Sequence, residues 1–188
     1  MATLKKEMLE DLHKGMTALT LKAYPDGGVA FEGLTFENED QIFTIKDSFN
    51  LTPSDPTTEE IKIDQNDETI DSTTEAGEYT MSGQIPSVAT EVLDYFMNSV
   101  KSVEGIKGYD GKTTYAGKTY DNGNKEVIAS VMIESASKKT AIVFARVKFV
   151  VSGVAIENAS SLAYVPFTAT ILGNTKEGEG AFAVLKSA

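Results

Sequence analysis

The 188-residue sequence predicts an α+β fold, mainly antiparallel β, in the form of a β-sandwich or barrel with one principal flanking helix at about 87–103. Three observations lead there. Period-two alternation recurs in seven or eight segments, helical spacing is sustained over one long segment only, and strands do not alternate regularly with helices as a doubly wound sheet requires. The length fits a single domain, residues 1–188, in which folding buries roughly 70% of the unfolded chain's surface. With 41% apolar and 24% charged residues the composition is that of a globular chain and not of a disordered one.

Leu4, Met8, Leu9 and Leu12 fall at helical spacing ahead of Gly15, which predicts a short N-terminal helix. Leu19 and Leu21 alternate with Thr and Lys, and the cluster Pro25-Asp26-Gly27-Gly28 turns the chain toward residues 29–36 as in a hairpin. A half-buried strand is expected over 41–51, where Ile42 and Thr44 alternate with Phe43 and Ile45. The next segment, about 53–76, predicts a long acidic loop. From Pro53 to Glu78 it carries nine acids against Lys62 alone, so most of the net charge of −11 sits in one stretch. A short strand around Ile61 and Ile63 is the one ordered piece expected in it.

Strand character returns at 78–85 and stops at Pro86, which has no N–H to donate, and Ser87 is placed to cap a helix. Val88, Val92, Phe96 and Val100 lie at spacing four, with Ala89, Leu93 and Met97 in the adjacent row, so the helix shows a continuous apolar stripe. Beyond it, the Gly-rich stretch 105–124 repeats Tyr109-Asp110-Gly111-Lys112-Thr113 as Tyr115-Ala116-Gly117-Lys118-Thr119 and predicts a loop or short hairpin. Three strong strands follow at 127–134, 140–151 and 163–172, the last with Ala163, Val165, Phe167, Ala169 and Ile171 on its buried face and Pro166 marking an edge. Residues 181–185 predict a final strand.

The chemistry-bearing residues are sparse. The single histidine, His13, excludes a histidine triad or a histidine-rich metal site within one subunit, and the chain has no cysteine for a thiolate site or disulfide. The Gly-Lys-Thr pairs at 111–113 and 117–119 lack the glycine that a phosphate loop needs five residues earlier, since Ile106 and Lys112 stand there. Asp64, Asn66, Glu68 and Glu75 match positions one, three, five and twelve of a calcium loop, but Thr69 occupies the position that requires glycine. Carboxylates for glycoside hydrolysis are numerous, yet no tryptophan is available to stack on a sugar. The expectation is therefore a non-enzymatic protein with no catalytic residue, cofactor or metal. A sequence pI near 4.6 disfavours a surface that grips nucleic-acid phosphates. No apolar run is long enough to span a bilayer, and the first residues lack the apolar centre of a secretory signal, so no membrane anchor is expected.

Taken together, Thr52-Pro53-Ser54-Asp55-Pro56-Thr57-Thr58-Glu59-Glu60-Ile61, the strand opening Gly77-Glu78-Tyr79-Thr80, Ile85-Pro86-Ser87 ahead of Leu93-Asp94-Tyr95-Phe96, and Val165-Pro166-Phe167-Thr168-Ala169-Thr170 resemble the major tail (tail tube) proteins of bacteriophages. The tube proteins of contractile injection systems look like relatives. The resemblance covers about residues 36–185 and rests on turn and packing patterns. It implies a structural virion protein whose subunits join edge to edge into homohexameric rings, stacked into a hollow tube through which DNA passes without specific binding. The implied partners are further copies of the chain and other tail proteins: a tape measure, a sheath or terminator, and a baseplate. The implied location is the virion tail, after assembly in the bacterial host cytoplasm. Ring closure would also cover sheet edges. In this reading the acidic segment is a contact arm between subunits or rings, with Ile61, Ile63 and Ile70 as its apolar contacts. The alternative is a non-enzymatic β-sandwich binding module, a capsid-decorating protein or adhesin, using the loop of Tyr109, Tyr115 and Tyr120 for recognition.

Overall fold

The structure is a computed structural model that describes residues 15–16, 18–37, 41–62, 69–75 and 77–187. The expected N-terminal helix and Ile63 lie outside these residues. Twelve strands and one helix are assigned among them: β1 (Ala18–Ala23), β2 (Gln41–Ile42), β3 (Asn50–Pro53), β4 (Thr57–Lys62), β5 (Thr69–Glu75), β6 (Tyr79–Ile85), α1 (Thr90–Phe96), β7 (Met97–Lys107), β8 (Thr114–Asn124), β9 (Val127–Glu134), β10 (Thr140–Val151), β11 (Val165–Leu172) and β12 (Phe182–Lys186). All strand pairings are antiparallel. The α+β, mainly antiparallel class is as the sequence predicts.

Eight strands form one sheet, seven of them in the order β2-β1-β9-β10-β11-β6-β3 and the eighth, β12, beside β10. β12 shares an edge of β10 with β11: Thr140–Phe144 pair with β12, and Arg146–Val151 with β11. Laid flat, the outer strands β2 and β3 would stand about 29 Å apart at the usual strand spacing. The chain from Ile42 to Asn50 reaches roughly that far only when fully extended. It spends length on a turn closed by Ser48 N–H donating to the Ile45 carbonyl at 3.1 Å, so the sheet must curl. β2 and β3 do not pair with each other, which leaves an open curl in place of the closed barrel.

The inner face of the curl is the core. Leu19, Leu21, Val127, Ala129, Val131, Phe144, Val147, Phe149, Val165, Phe167, Ala169, Met81 and Ile85 are buried there, and α1 lays Leu93 and Phe96 across them. Phe96, Phe149 and Phe167 stack in series, with centroid separations of 5.9 and 5.6 Å. The buried face expected for the 163–172 strand is observed from Val165 onward. Its edge position is corrected, because β11 is internal, between β10 and β6. Pro166 is tolerated because the ladder to β10 begins one residue later, at Phe167.

Gly83 in β6 is fixed by the same stack. A Cβ there would lie 2.8 Å from the Phe167 ring. A strand glycine ordinarily gains stability on replacement by alanine. Gly83→Ala is instead expected to destabilise by about 1–3 kcal/mol, because the buried ring has nowhere to move, as a thermal or urea melt would register.

Five further expectations are corrected. The helix ends at Phe96, and residues 97–107 are the strand β7. Val100, which the stripe would bury, is 66% exposed. Met97–Val103 contains Asn, two Ser and two Val, weak helix formers that suit an extended chain, and β8 offers them a ladder partner. Ser87 does not cap the helix, since its Oγ accepts the Ala89 amide outside the first turn. Residues 29–36 form no strand, and 43–49 cross the mouth of the curl as a loop. Finally, the acidic segment is no loop, because 57–62 and 69–75 form the hairpin β4–β5. It is rich in β-branched Thr and Ile, and its register sets Thr57 against Glu75, Glu59 against Thr73, Glu60 against Ser72 and Ile61 against Asp71. No acid directly faces another in that ladder, so the register avoids the closest like-charge pairing across the strands.

Candidate functional site

Two hairpins stand outside the main sheet, each a two-stranded sheet of its own. The first, β4–β5, extends the edge pair β3–β6. Past the Pro53–Tyr79 pair, Ser54 N–H donates to the Glu78 carbonyl at 2.7 Å and Glu78 N–H donates to Ser54 Oγ at 2.8 Å, which carries the pairing outward. Ile61 lies on β4 opposite Asp71, and Ile70 lies on β5 at the register shift beside Lys62. The structure thus places both on one projecting arm.

The second arm, β7–β8, follows α1 without a connecting loop. Its tip is rigidly built. Asp110 Oδ1 accepts the amides of Lys112 and Thr113 at 2.9 Å each, and its Oδ2 accepts the Thr113 hydroxyl at 2.7 Å. The bonds from Thr113 are the chief reason that the Asp110 carboxyl is held below its usual pKa. This turn leaves Tyr109 fully exposed. Below it Ile106 and Tyr115 face each other across the ladder, 56% and 58% exposed.

The base of this arm is fastened to α1. Asp94 pairs with Lys118 and accepts the Tyr120 hydroxyl at 3.1 Å, while Lys125 Nζ donates to the Asp94 carbonyl at 2.7 Å. The hydrogen bond from Lys118 holds the Asp94 carboxyl below its usual value, and the same bond raises Lys118. Burial, then Asp94, raises the Tyr120 hydroxyl. A lowered acid stabilises the fold above its ordinary value of about 3.9 and loses that contribution as pH falls through the folded value. A raised lysine contributes below about 10.4 and loses it as pH rises through its folded value. The fastening is therefore intact across neutral pH. Asp94→Asn is expected to speed hydrogen exchange at Lys118–Tyr120 at pH 7 while leaving the β9–β10 amides protected, and wild type, tight at neutral pH, should show the same local loosening once acid protonates Asp94.

A third apolar surface is β12. Phe182, Val184 and Leu185 are 43%, 68% and 45% exposed, and among the described residues β12 pairs with β10 alone. These residues, with Val100 and Ile106, are exposed apolar positions that the sequence does not single out, whereas Tyr109 and Tyr115 belong to the loop that it does. The Tyr repeat was the available signal for the arm. Tyr120 differs from its neighbours in the repeat, being half-buried and committed to Asp94.

The remaining motifs fall where they do no phosphate chemistry. Gly111–Thr113 is the hairpin tip and Gly117–Thr119 lies inside β8, neither of them a strand-to-helix turn. Among the described residues no group of three or more His, Asp or Glu is placed to hold a metal ion, and no helix is long and apolar enough to cross a membrane. No protein-family model matches the chain, and no curated protein matches it.

Proposed function

We propose that the chain is a structural, non-enzymatic subunit that assembles with copies of itself into hexameric rings stacked as a bacteriophage tail tube. The observation that carries this reading is the pair of projecting hairpins. A two-stranded hairpin is marginal in water by itself, yet β7–β8 is braced at its base, rigid at its tip and apolar along its flank. Such an arm suits docking on a neighbour. The apolar strand β12, which among the described residues pairs with β10 alone, supplies a second contact of the kind that ring closure would cover. Tape measure, sheath or terminator, and baseplate proteins are the proposed further partners, and DNA would pass through the lumen without specific contacts.

One observation favours a second reading. Tyr109, fully exposed on a preorganised turn, is also what a recognition loop presents, as in a capsid-decorating or adhesin module. Electron microscopy of the untagged full chain in negative stain, over a concentration series, separates the two. Rings or hollow tubes of uniform width are expected. Discrete monomers at every concentration, unchanged by an added tail-initiation complex, would overturn the tube reading in favour of the binding module. With a net charge of −11 opposing association, assembly should begin at lower protein concentration as salt is raised from about 10 to 150 mM.

A further inference from the structure

Arg146 is the only arginine of the chain, and it sits at an irregularity in the central strand. Phe144 pairs with Val131 of β9 and Val147 with Ala129, so Ala145 and Arg146 together face Ser130. The Ser130 hydroxyl holds this bulge by donating to the Ala145 carbonyl at 2.7 Å. Before the bulge, even-numbered side chains of β10 face the core, and after it odd-numbered ones do, as the burial of Phe144, Val147 and Phe149 shows. The extra residue therefore turns Arg146 out of the core and onto the back of the sheet.

There its guanidinium lies over the Tyr24 ring, 5.6 Å from the centroid. Tyr24 is itself pinned: its hydroxyl accepts the Thr175 amide at 2.9 Å, donates to Asn174 Oδ1 at 3.1 Å and lies 2.7 Å from Thr175 Oγ1. Arg146 Nε is buried and finds no acceptor among the described residues. Unmatched buried donors are uncommon and call for a physical reason. Arg146 also lines a cleft of about 500 Å³, together with Tyr24, Asp26, Glu126, Ile128 and Thr175.

We propose that this cleft is a carboxylate-binding site keyed by Arg146. A guanidinium placed over an aromatic ring offers a fork of N–H donors that matches the two oxygens of a carboxylate. The two acids of the cleft do not fill that role. Glu126 is engaged by Lys148 at 3.0 Å, and neither acid forms an ion pair with Arg146. Their field instead disfavours phosphate and other multiply charged anions and leaves a singly charged, planar carboxylate as the fitting ligand. That group arrives either on a small molecule or on an acidic side chain of a second copy, of which the chain has many. The site does not depend on the tube reading.

The single arginine makes the test direct, because ¹⁵N-labelled protein gives one arginine Nε–Hε signal. Sodium acetate is titrated against sodium chloride at matched ionic strength, and separately the protein alone is diluted. A saturable shift with acetate beyond that with chloride is expected for a site open to small carboxylates. A shift with protein concentration, tracking association by sedimentation, identifies a second copy as the source. Either outcome supports the site. Arg146→Lys keeps the charge without the fork, and the acetate response of the Thr175 amide should then weaken at least about tenfold. No shift in either wild-type titration, equal shifts with acetate and chloride, or undiminished binding in Arg146→Lys would overturn the proposal.

Discussion

Phe149→Ala is expected to cost about 3–5 kcal/mol of stability, among the larger losses available to a single substitution. Phe149 is 1% exposed on the central strand β10, and its ring is the middle member of the stack that joins α1, through Phe96, to β11, through Phe167. Truncation removes the apolar area of the ring, the two aromatic contacts, each adding about 0.5–1.5 kcal/mol, and leaves a cavity enclosed on both sides. For a chain of this length each kcal/mol lowers the melting temperature by roughly 2–4 °C, so a fall of about 10 °C is expected. Urea unfolding at low protein concentration checks it, since association would mask the loss by mass action. The urea slope should stay unchanged. The Phe149→Ala/Phe167→Ala pair should also couple by more than about 0.5 kcal/mol, as neighbours sharing one cavity do. A loss below about 1 kcal/mol would mean that the stack is not the centre of the core.

The parts of the fold that were legible in the sequence are those where one face is buried and pattern alone decides. β9 and β10 run over 127–134 and 140–151, as their alternation predicts, and β11 buries the face that the pattern assigns from Val165 on. What was not legible depends on partners distant in sequence. Residues 97–103 satisfy a helical stripe as well as a strand, and only the ladder with β8 decides between them. β8 itself reads as part of a loop or short hairpin because glycine and lysine interrupt its threonines and tyrosines, and because as an arm it has no buried face to create alternation. The hairpin β4–β5 was hidden for a different reason. Its charge outweighed its β-branched content in the reading, whereas the register separates the acids. The candidate site inherits these blind spots: Ile61 and Ile70 lie on strands of one hairpin where the sequence suggests a loop, while Ile106 on the flank of β7–β8 and the strand β12 stand out only from the topology.

Val184→Lys should leave the subunit folded and abolish its assembly under conditions where wild type forms rings or tubes. Val184 is 68% exposed on β12, opposite Ile142 of β10 in the ladder, so the substitution removes little buried area and should alter subunit stability by no more than about 0.5 kcal/mol. Its effect on association has a different origin. β12 shows apolar side chains on both faces, Phe182 and Val184 on one and Leu185 on the other, beside an edge that pairs with β10 alone among the described residues. That combination favours strand addition, and an edge lysine opposes it by requiring a charge to be buried at the new seam. A central interface residue contributes about 2 kcal/mol or more, which is about a 30-fold loss per contact. Because each contact of a ring must form for the ring to close, the loss compounds around it, and the assembly threshold should move beyond accessible concentrations. Sedimentation velocity and electron microscopy over one concentration series measure this, with Val154→Lys, an exposed position on the connection between β10 and β11, as the matched charge control. Assembly of Val184→Lys at the wild-type threshold would remove β12 from the interface. In the proposed tube the arms would then have to supply the ring contacts, and β7–β8, with its exposed apolar flank, would be the first place to look.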